Sequence, residues 1–254
     1  MITIDLSGKI AVVTGATGQL GRTMARVLAE AGADVAVHYS RNAEKAEEIA
    51  AEIRSAGRRA IAVQADVTKL QSVLEMRDKI AETLGHPNIV VNSAVAMCKP
   101  WKAVLEQSAD VYVKLFETCV LHSVNMAKAF LPAMIESNYG RFIGINTECA
   151  MLLDPTQSAY SAAKRGMDGV FRVLAREVAE YNITVNEVAP GWTISDTTRD
   201  EGEDDAEYTA KVPMKRRGTD REIANTVLFL ASDLASYITG VYLPVCGGNV
   251  LPRI

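Results

Sequence analysis

The sequence predicts an α/β fold, a doubly wound parallel sheet with helices on both faces. Two features predict it. Short Val- and Ile-rich runs alternate with longer amphipathic stretches from Ile10 to Asn92, the pattern of strands joined by crossover helices. The first run leads at once into a glycine turn, Gly15-Ala-Thr-Gly18-Gln-Leu-Gly21, which opens a helix. A length of 254 residues suits one such domain, and an apolar fraction of 48% is enough for a substantial core. No repeat, low-complexity tract or Pro/Gly linker divides the chain, so residues 1–254 are read as a single domain.

Ile10 to Thr14 reads as the first strand, and Arg22 to Ala31 as a helix stopped by Gly32. Asp34 to His38 is the second strand. Asn42 to Ala56 is a charged amphipathic helix capped by Asn42 and ended by Gly57. Further strands are read at Arg59 to Gln64, Asn88 to Asn92, Gly140 to Ile145, Ile183 to Val188 and Val241 to Val245. Lys69 to Leu84 and Asp220 to Ser232 read as helices. Trp101 to Ile135 is helical with breaks that the pattern does not locate. Its Met/Phe/Leu stripe reads as core or subunit contact. A later helix carries Tyr160 and Lys164 and runs to Tyr181. Residues 192–217 are polar and acidic, either a solvated loop or a lid over a site.

A net charge of −4 argues against a nucleic-acid-binding surface. No apolar run approaches the roughly 18–20 residues of a membrane helix. The N-terminus lacks the basic-then-apolar order of a signal peptide. A soluble, cytoplasmic protein is expected. Cys98, Cys119, Cys149 and Cys246 form no C-x-x-C and suggest no disulfide framework; Cys149 and Cys246 read as small buried residues. His38, His86 and His122 match no zinc spacing, so no metal site is expected.

Three stretches carry chemistry. The glycine turn lets the backbone approach a pyrophosphate, and the helix it opens supplies free N–H groups and a positive dipole. The second strand ends without the acid that would bind the ribose hydroxyls of NAD. Ser40 and Arg41 follow instead, and an Arg there can pair with a 2′-phosphate, which favours NADP(H) over NAD(H). Tyr160 and Lys164 stand at i and i+4, one turn apart on one helix face. A free phenol has a pKa of about 10, and a nearby cation lowers it. Such a tyrosine can exchange a proton while a hydride moves elsewhere.

Taken together, these residues resemble the short-chain dehydrogenase/reductase family, over nearly the whole chain from Lys9 to Gly248. The marks, in order, are Thr14-Gly15 with the glycine turn, Asp66-Val67, Asn92-Ser-Ala, Tyr160-x-x-x-Lys164, Pro190-Gly191, Phe229-Leu-Ala-Ser-Asp233, Thr239-Gly240 and Gly247-Gly248. The likeness is to ketoreductase members such as the 3-oxoacyl-acyl-carrier-protein reductases. The resemblance implies a Rossmann-type, seven-stranded parallel sheet with the cofactor across its strand ends, and a homotetramer or homodimer. By analogy, Gly15, Thr17, Gly18, Gln19 and Leu20 would hold the pyrophosphate. Asp66 and Val67 would contact adenine, and Asn92 and Ala94 would line the cofactor ribose. Pro190, Gly191, Thr193 and Ser195 would surround the nicotinamide amide. Lys164 would hold the nicotinamide ribose and help ionise Tyr160, the general acid in carbonyl reduction or the base in alcohol oxidation. Thr147, thirteen residues before the tyrosine, would orient the substrate oxygen.

Several positions depart from the family pattern. Gln19 stands where Gly is usual, Ser93 and Val95 alter the usual Asn-Asn-Ala-Gly, and Thr147 replaces Ser. Counted back from Pro132, Cys119 takes the place of the helix Asn that holds a proton-relay water. A thiol is a weak donor and does not replace an amide, so a weakened relay is expected. The leading expectation is an NADP-dependent oxidoreductase acting on a small ketone or secondary alcohol, without nucleic-acid or membrane partners. The alternative is a protein of this fold doing non-redox chemistry or regulating through its cofactor. Met97, Trp101, Met151, Leu152, Leu153 and Trp192 suggest an apolar substrate pocket.

Overall fold

The computed structural model describes residues 3–194 and 206–251. Seven strands form one parallel sheet: β1 (Ile10–Val13), β2 (Asp34–Tyr39), β3 (Ala60–Gln64), β4 (Ile89–Asn92), β5 (Gly140–Ile145), β6 (Ile183–Pro190) and β7 (Tyr242–Val245), in the order β3-β2-β1-β4-β5-β6-β7. The inner strands are near-continuous Val, Ile and Ala because both faces are covered, and Ala11, Val12 and Val13 are wholly buried. One apolar layer packs α1 (Gln19–Glu30), α2 (Ala43–Ser55) and the last helix on one face. The other layer packs α3 (Leu70–Thr83), α5 (His122–Glu136) and α7 (Ser158–Val178) on the opposite face. The strand order reverses between β1 and β4. A crevice therefore opens at the carboxyl ends of these strands, where sheets of this topology bind ligands.

Most elements fall where the sequence puts them, and the differences have local causes. Asn42 caps α2 as expected, its Oδ1 accepting the Lys45 N–H at 2.9 Å. Helix α1 starts at Gln19, three residues before the expected Arg22, because its first turn lies inside the glycine motif. Strand β6 continues to Pro190, paired with Val245 of β7. Residues 101–108 are not helical. The helix of that region begins at α4 (Ala109–Phe116), capped by Ser108, and passes through a π-helical turn at Glu117–Leu121 into α5. That turn places one extra residue in the helix at Cys119. After the short α6 (Cys149–Leu152) and α7 come α8 (Ala206–Lys211) and α9 (Asp220–Ala231), the latter entered through a Thr219/Glu222 capping box. Among the described residues no helix is long and apolar enough to cross a membrane.

Candidate active site

The glycine turn closes through a Gly18 N–H to Gly15 O bond of 3.0 Å. Gly15 lies at φ +65°, and a Cβ there would meet the Ala94 Cα at 2.9 Å. At Gly21 a Cβ would overlap the Gly15 carbonyl oxygen and stand 2.8 Å from the Ala16 Cα. Only backbone fits here, so the turn lies bare at the end of β1. No side chain caps α1, whose N-cap is Gly18. Its first-turn N–H groups and positive end are thus presented to the crevice. This cradle fits a dinucleotide pyrophosphate. Thr17 and Leu20 lie in the turn and first helical residues, half-buried, and Leu20 packs on the core. Gln19 ties the turn to the loop after β6 by donating its Nε2–H to the Ile194 carbonyl.

A residue that sequence reasoning left without a role supports this turn. His38, buried at the end of β2, accepts the Gly15 N–H on Nδ1 at 3.0 Å and approaches the Ala65 carbonyl with Nε2 at 3.1 Å. That pairing requires the neutral Nε2–H tautomer. Burial pushes its pKa down to about 4, and burial likewise pushes His122 down to about 3. Both values lie below the usual 6.5, so the native state binds fewer protons than the unfolded chain. The stability this represents is present above pH 6.5 and is lost as pH falls towards 4. The imidazole resonances of His38 and His122 are therefore expected not to titrate between pH 7 and 5. A His38 resonance titrating near 6.5 would contradict the Gly15 contact.

The Thr14 hydroxyl oxygen accepts the Ser93 and Ala94 N–H groups at 2.9 and 3.1 Å, clamping the ends of β1 and β4 together. Asn92 is buried just before them, and neither of its amide atoms has a partner among the described residues. Ser40 and Arg41 are exposed beyond β2, and the Arg41 guanidinium makes no hydrogen bond or ion pair among the described residues. Asp66 is held by the Thr68 hydroxyl at 2.7 Å, and Val67 offers its carbonyl to Asn125 at 3.0 Å.

Thr147, Tyr160 and Lys164 meet beyond the end of β5. The Thr147 hydroxyl faces the Tyr160 phenol closely enough to lower its pKa and accepts the Cys149 N–H at 3.2 Å. Lys164 Nζ lies 5.9 Å from the Tyr160 ring centroid and donates to the Ile145 carbonyl at 2.6 Å. Trp101 stacks on Tyr160 with centroids 5.9 Å apart. The expected lowering of the phenol pKa is not found. Burial pushes Tyr160 well above its usual 10, Cys119 and Cys149 add to the rise, and the nearby Thr147 hydroxyl opposes it. The cause is packing under Trp101 with the lysine ammonium turned to Ile145. Cys119 is buried within electrostatic range of Tyr160, and its carbonyl accepts the Ser123 hydroxyl at 2.7 Å. Cys149 is half-buried rather than buried, whereas Cys246 is buried as expected. All four thiols are free, and no metal-binding cluster occurs among the described residues.

The loop after β6 is tied to α8 and to the C-terminal segment. The Glu148 carboxylate accepts the Tyr208 hydroxyl at 2.7 Å and the Asn249 amide at 3.0 Å. Tyr208 in turn accepts the Trp192 N–H at 2.8 Å. Pro190 and Gly191 lie at the strand end, and Thr193 bridges to Gly218 and accepts from Arg217 at 2.8 Å. Ser195 lies outside the described residues, as do Asp200 to Asp205 of the acidic stretch. Met97, Leu152, Leu153 and Trp192 expose apolar surface.

A glycine-cradled crevice beside a Thr-Tyr-Lys cluster, on a seven-stranded parallel sheet, defines an NAD(P)-dependent enzyme acting on a CH–OH/C=O group. Residues 15–249 match the family model described as enoyl-(acyl carrier protein) reductase. The chain belongs to the short-chain dehydrogenase/reductase family and resembles its 3-oxoacyl-acyl-carrier-protein reductase-like ketoreductases. It is 37% identical to a 3-oxoacyl-(acyl-carrier-protein) reductase of Staphylococcus epidermidis, over 94% of this chain and 98% of the relative. It is 32% identical to an L-rhamnose 1-dehydrogenase (NAD(P)+) of Sphingomonas, over 96% of both chains. The fold matches a gluconate 5-dehydrogenase of Burkholderia cenocepacia, solved with NADP and tartrate, at a TM-score of 0.88 and 29% identity, over 96% of both chains.

Proposed function

We propose that this protein is an NADP(H)-dependent ketoreductase, converting a small ketone into a secondary alcohol or the reverse, with Tyr160 as general acid and base. The observation that carries the reading is the placement of Thr147, Tyr160 and Lys164 at the end of β5, one strand from the switch point where Gly15 and Ala94 meet. The bound nicotinamide supplies or accepts the hydride. In reduction, the Thr147 hydroxyl orients the carbonyl oxygen and Tyr160 donates its proton to it. The raised pKa keeps the phenol protonated at neutral pH, the form that reduction needs. Lys164 sits close enough to stabilise the phenolate left behind. Gly15, Thr17, Gly18, Gln19 and Leu20 hold the pyrophosphate, while Asp66, Val67, Asn92 and Ala94 line the adenosine and ribose. Pro190, Gly191, Thr193 and Ser195 hold the amide.

Arg41 supports the NADP(H) preference, since its guanidinium stands exposed beside Ser40. Exposed apolar surface at Met97, Leu152 and Leu153 supports an apolar substrate admitted beneath a lid at 192–217 of the one domain. Val113 and Phe116 on α4 and Val173 on α7 are exposed apolar residues that suit a homodimer or homotetramer contact. Four unpaired cysteines suit a reducing, cytoplasmic setting.

Calorimetric titration with NADPH and NADH, followed by NADPH oxidation with a panel of ketones, tests the reading. Arg41→Ala is expected to weaken NADPH binding by about 10-fold or more, from the loss of a charge-assisted contact, and to leave NADH nearly unchanged. Equal effects on both cofactors would reject the phosphate pairing. NADPH binding without turnover of any ketone or alcohol would reject the ketoreductase.

A further inference from the structure

Glu187 lies within β6, in register with Gly144 of β5 and Tyr242 of β7, and is 1% exposed. A carboxyl buried so deeply needs partners. Its Oε1 accepts the Asn146 Nδ2–H at 2.7 Å, and the Asp168 carboxyl of α7 lies near enough to raise its pKa. Asp168 also accepts the Arg172 Nε–H at 2.6 Å. Two neighbouring carboxyl groups, one of them buried, resist ionising together and favour one proton between them. The charge on Asp168 is already matched by Arg172, so the proton belongs on Glu187.

Asn146 joins this pair to the Thr147–Tyr160–Lys164 cluster. Its Nδ2 also donates to the Lys164 carbonyl at 3.0 Å, and its Oδ1 accepts the Thr147 N–H at 2.9 Å and the Tyr242 hydroxyl at 3.3 Å. Tyr242 also donates to the Thr147 carbonyl. Turned over, the amide would set its oxygen against Glu187 and the Lys164 carbonyl, and its N–H groups against that of Thr147. Glu187, together with the Lys164 carbonyl and the Thr147 N–H, therefore selects the orientation that ties the Thr147 strand end to the helix of Tyr160.

We propose that Glu187 and Asp168 form a one-proton carboxyl pair that fixes Asn146 and makes Glu187 a positioning residue for Thr147, Tyr160 and Lys164. The kinetic consequence rests on the ketoreductase reading; the pair itself does not. The groups facing Glu187 are Asp168 and Lys164 of α7, with Arg172 behind Asp168, Asn146 after β5, and Tyr242 of β7. Burial pushes the Glu187 pKa up to about 8, Asp168 adds to the rise, and Asn146 and Lys164 oppose it. With the native value above 4.5, the folded state holds an extra proton, so stability falls as pH rises from 4.5 to about 8 and then levels.

The test compares the wild type with Glu187→Gln and Glu187→Leu by thermal unfolding between pH 5 and 9, without substrate, and by kcat against pH. Gln can accept from Asn146 and donate to Asp168. Its unfolding midpoint should lose the wild-type decline between pH 5 and 8, and its turnover should persist without the wild-type alkaline fall near 8. The Leu variant should lose kcat by about 10-fold or more through misplaced groups, with little change in KM. Identical pH–stability curves for wild type and Gln would overturn the pair. Full kcat in a folded Leu variant would overturn the positioning role. Should the Leu variant not fold, loss of the alkaline fall in the Gln variant decides that role. A wild type that turns over no ketone, yet differs from Gln in the stability curves, would overturn the ketoreductase and leave the pair standing.

Discussion

Tyr160→Phe is expected to lower turnover by about 10²–10⁴-fold, the range for loss of a positioned general acid. The substitution removes one oxygen and keeps the ring that stacks on Trp101, so the local packing survives. The oxygen it removes lies near the Thr147 hydroxyl, whose own position is held through Asn146 and Tyr242. NADPH affinity should therefore change little. Rapid-mixing turnover together with calorimetric binding checks both halves. Near-normal turnover would remove Tyr160 from the proton step, and lost binding would mean that the ring rather than the hydroxyl matters.

Gly21→Ala is expected to disable the dinucleotide cradle. The added Cβ would strike the Gly15 carbonyl oxygen on one side and approach the Ala16 Cα on the other, and neither can swing away as a side chain could. Either α1 lifts from the sheet or the turn opens. Overpacking of this kind costs about 1–3 kcal/mol, and each kcal/mol lowers Tm by roughly 2–4 °C in a chain of this size. The melting point should fall accordingly, and NADPH affinity should drop well over tenfold. Gly169→Ala, in α7 with nothing within 4 Å of the new methyl, is the control and should be neutral or slightly stabilising. Unchanged melting and binding for Gly21→Ala would mean that the turn is not closed as described.

Much of this was legible in the sequence because it is local. Buried parallel strands announce themselves as β-branched runs, so β1 to β7 fall within two residues of their expected places. The Tyr160/Lys164 spacing needs only the pitch of a helix. What was hidden depends on contacts between distant segments. No Gly or Pro marks the π-helical turn at Cys119, so the break in the long helix had no signal. The glycines that make the first turn also mask the start of α1 at Gln19. The direction of the Tyr160 shift follows from burial beneath Trp101, which spacing does not reveal. His38 at the foot of the glycine turn, the Glu148–Tyr208–Asn249 cluster and the Glu187–Asp168 pair each join residues far apart in the chain. A signal for the last was present all the same: a carboxylate inside an apolar strand, flanked by Asn186 and Val188, has to be explained by a partner. The non-redox alternative loses ground because the departures at Gln19 and Thr147 are accommodated in place, Gln19 bonded to Ile194 and the Thr147 hydroxyl held by the Cys149 N–H beside Tyr160.

The chain has two tryptophans, and both stand at the same cleft: Trp101 stacked on Tyr160, Trp192 edge-on to Tyr208 with the Arg217 guanidinium 4.6 Å over its ring. All indole emission from this protein therefore originates at the walls of its site. A reduced nicotinamide absorbs in the band where indole emits, so the unlabelled protein carries two donors beside the place its cofactor would lie. Trp101→Phe and Trp192→Phe would split that light into separate channels, one reporting the Tyr160 phenol and the other the contact with Tyr208 of α8.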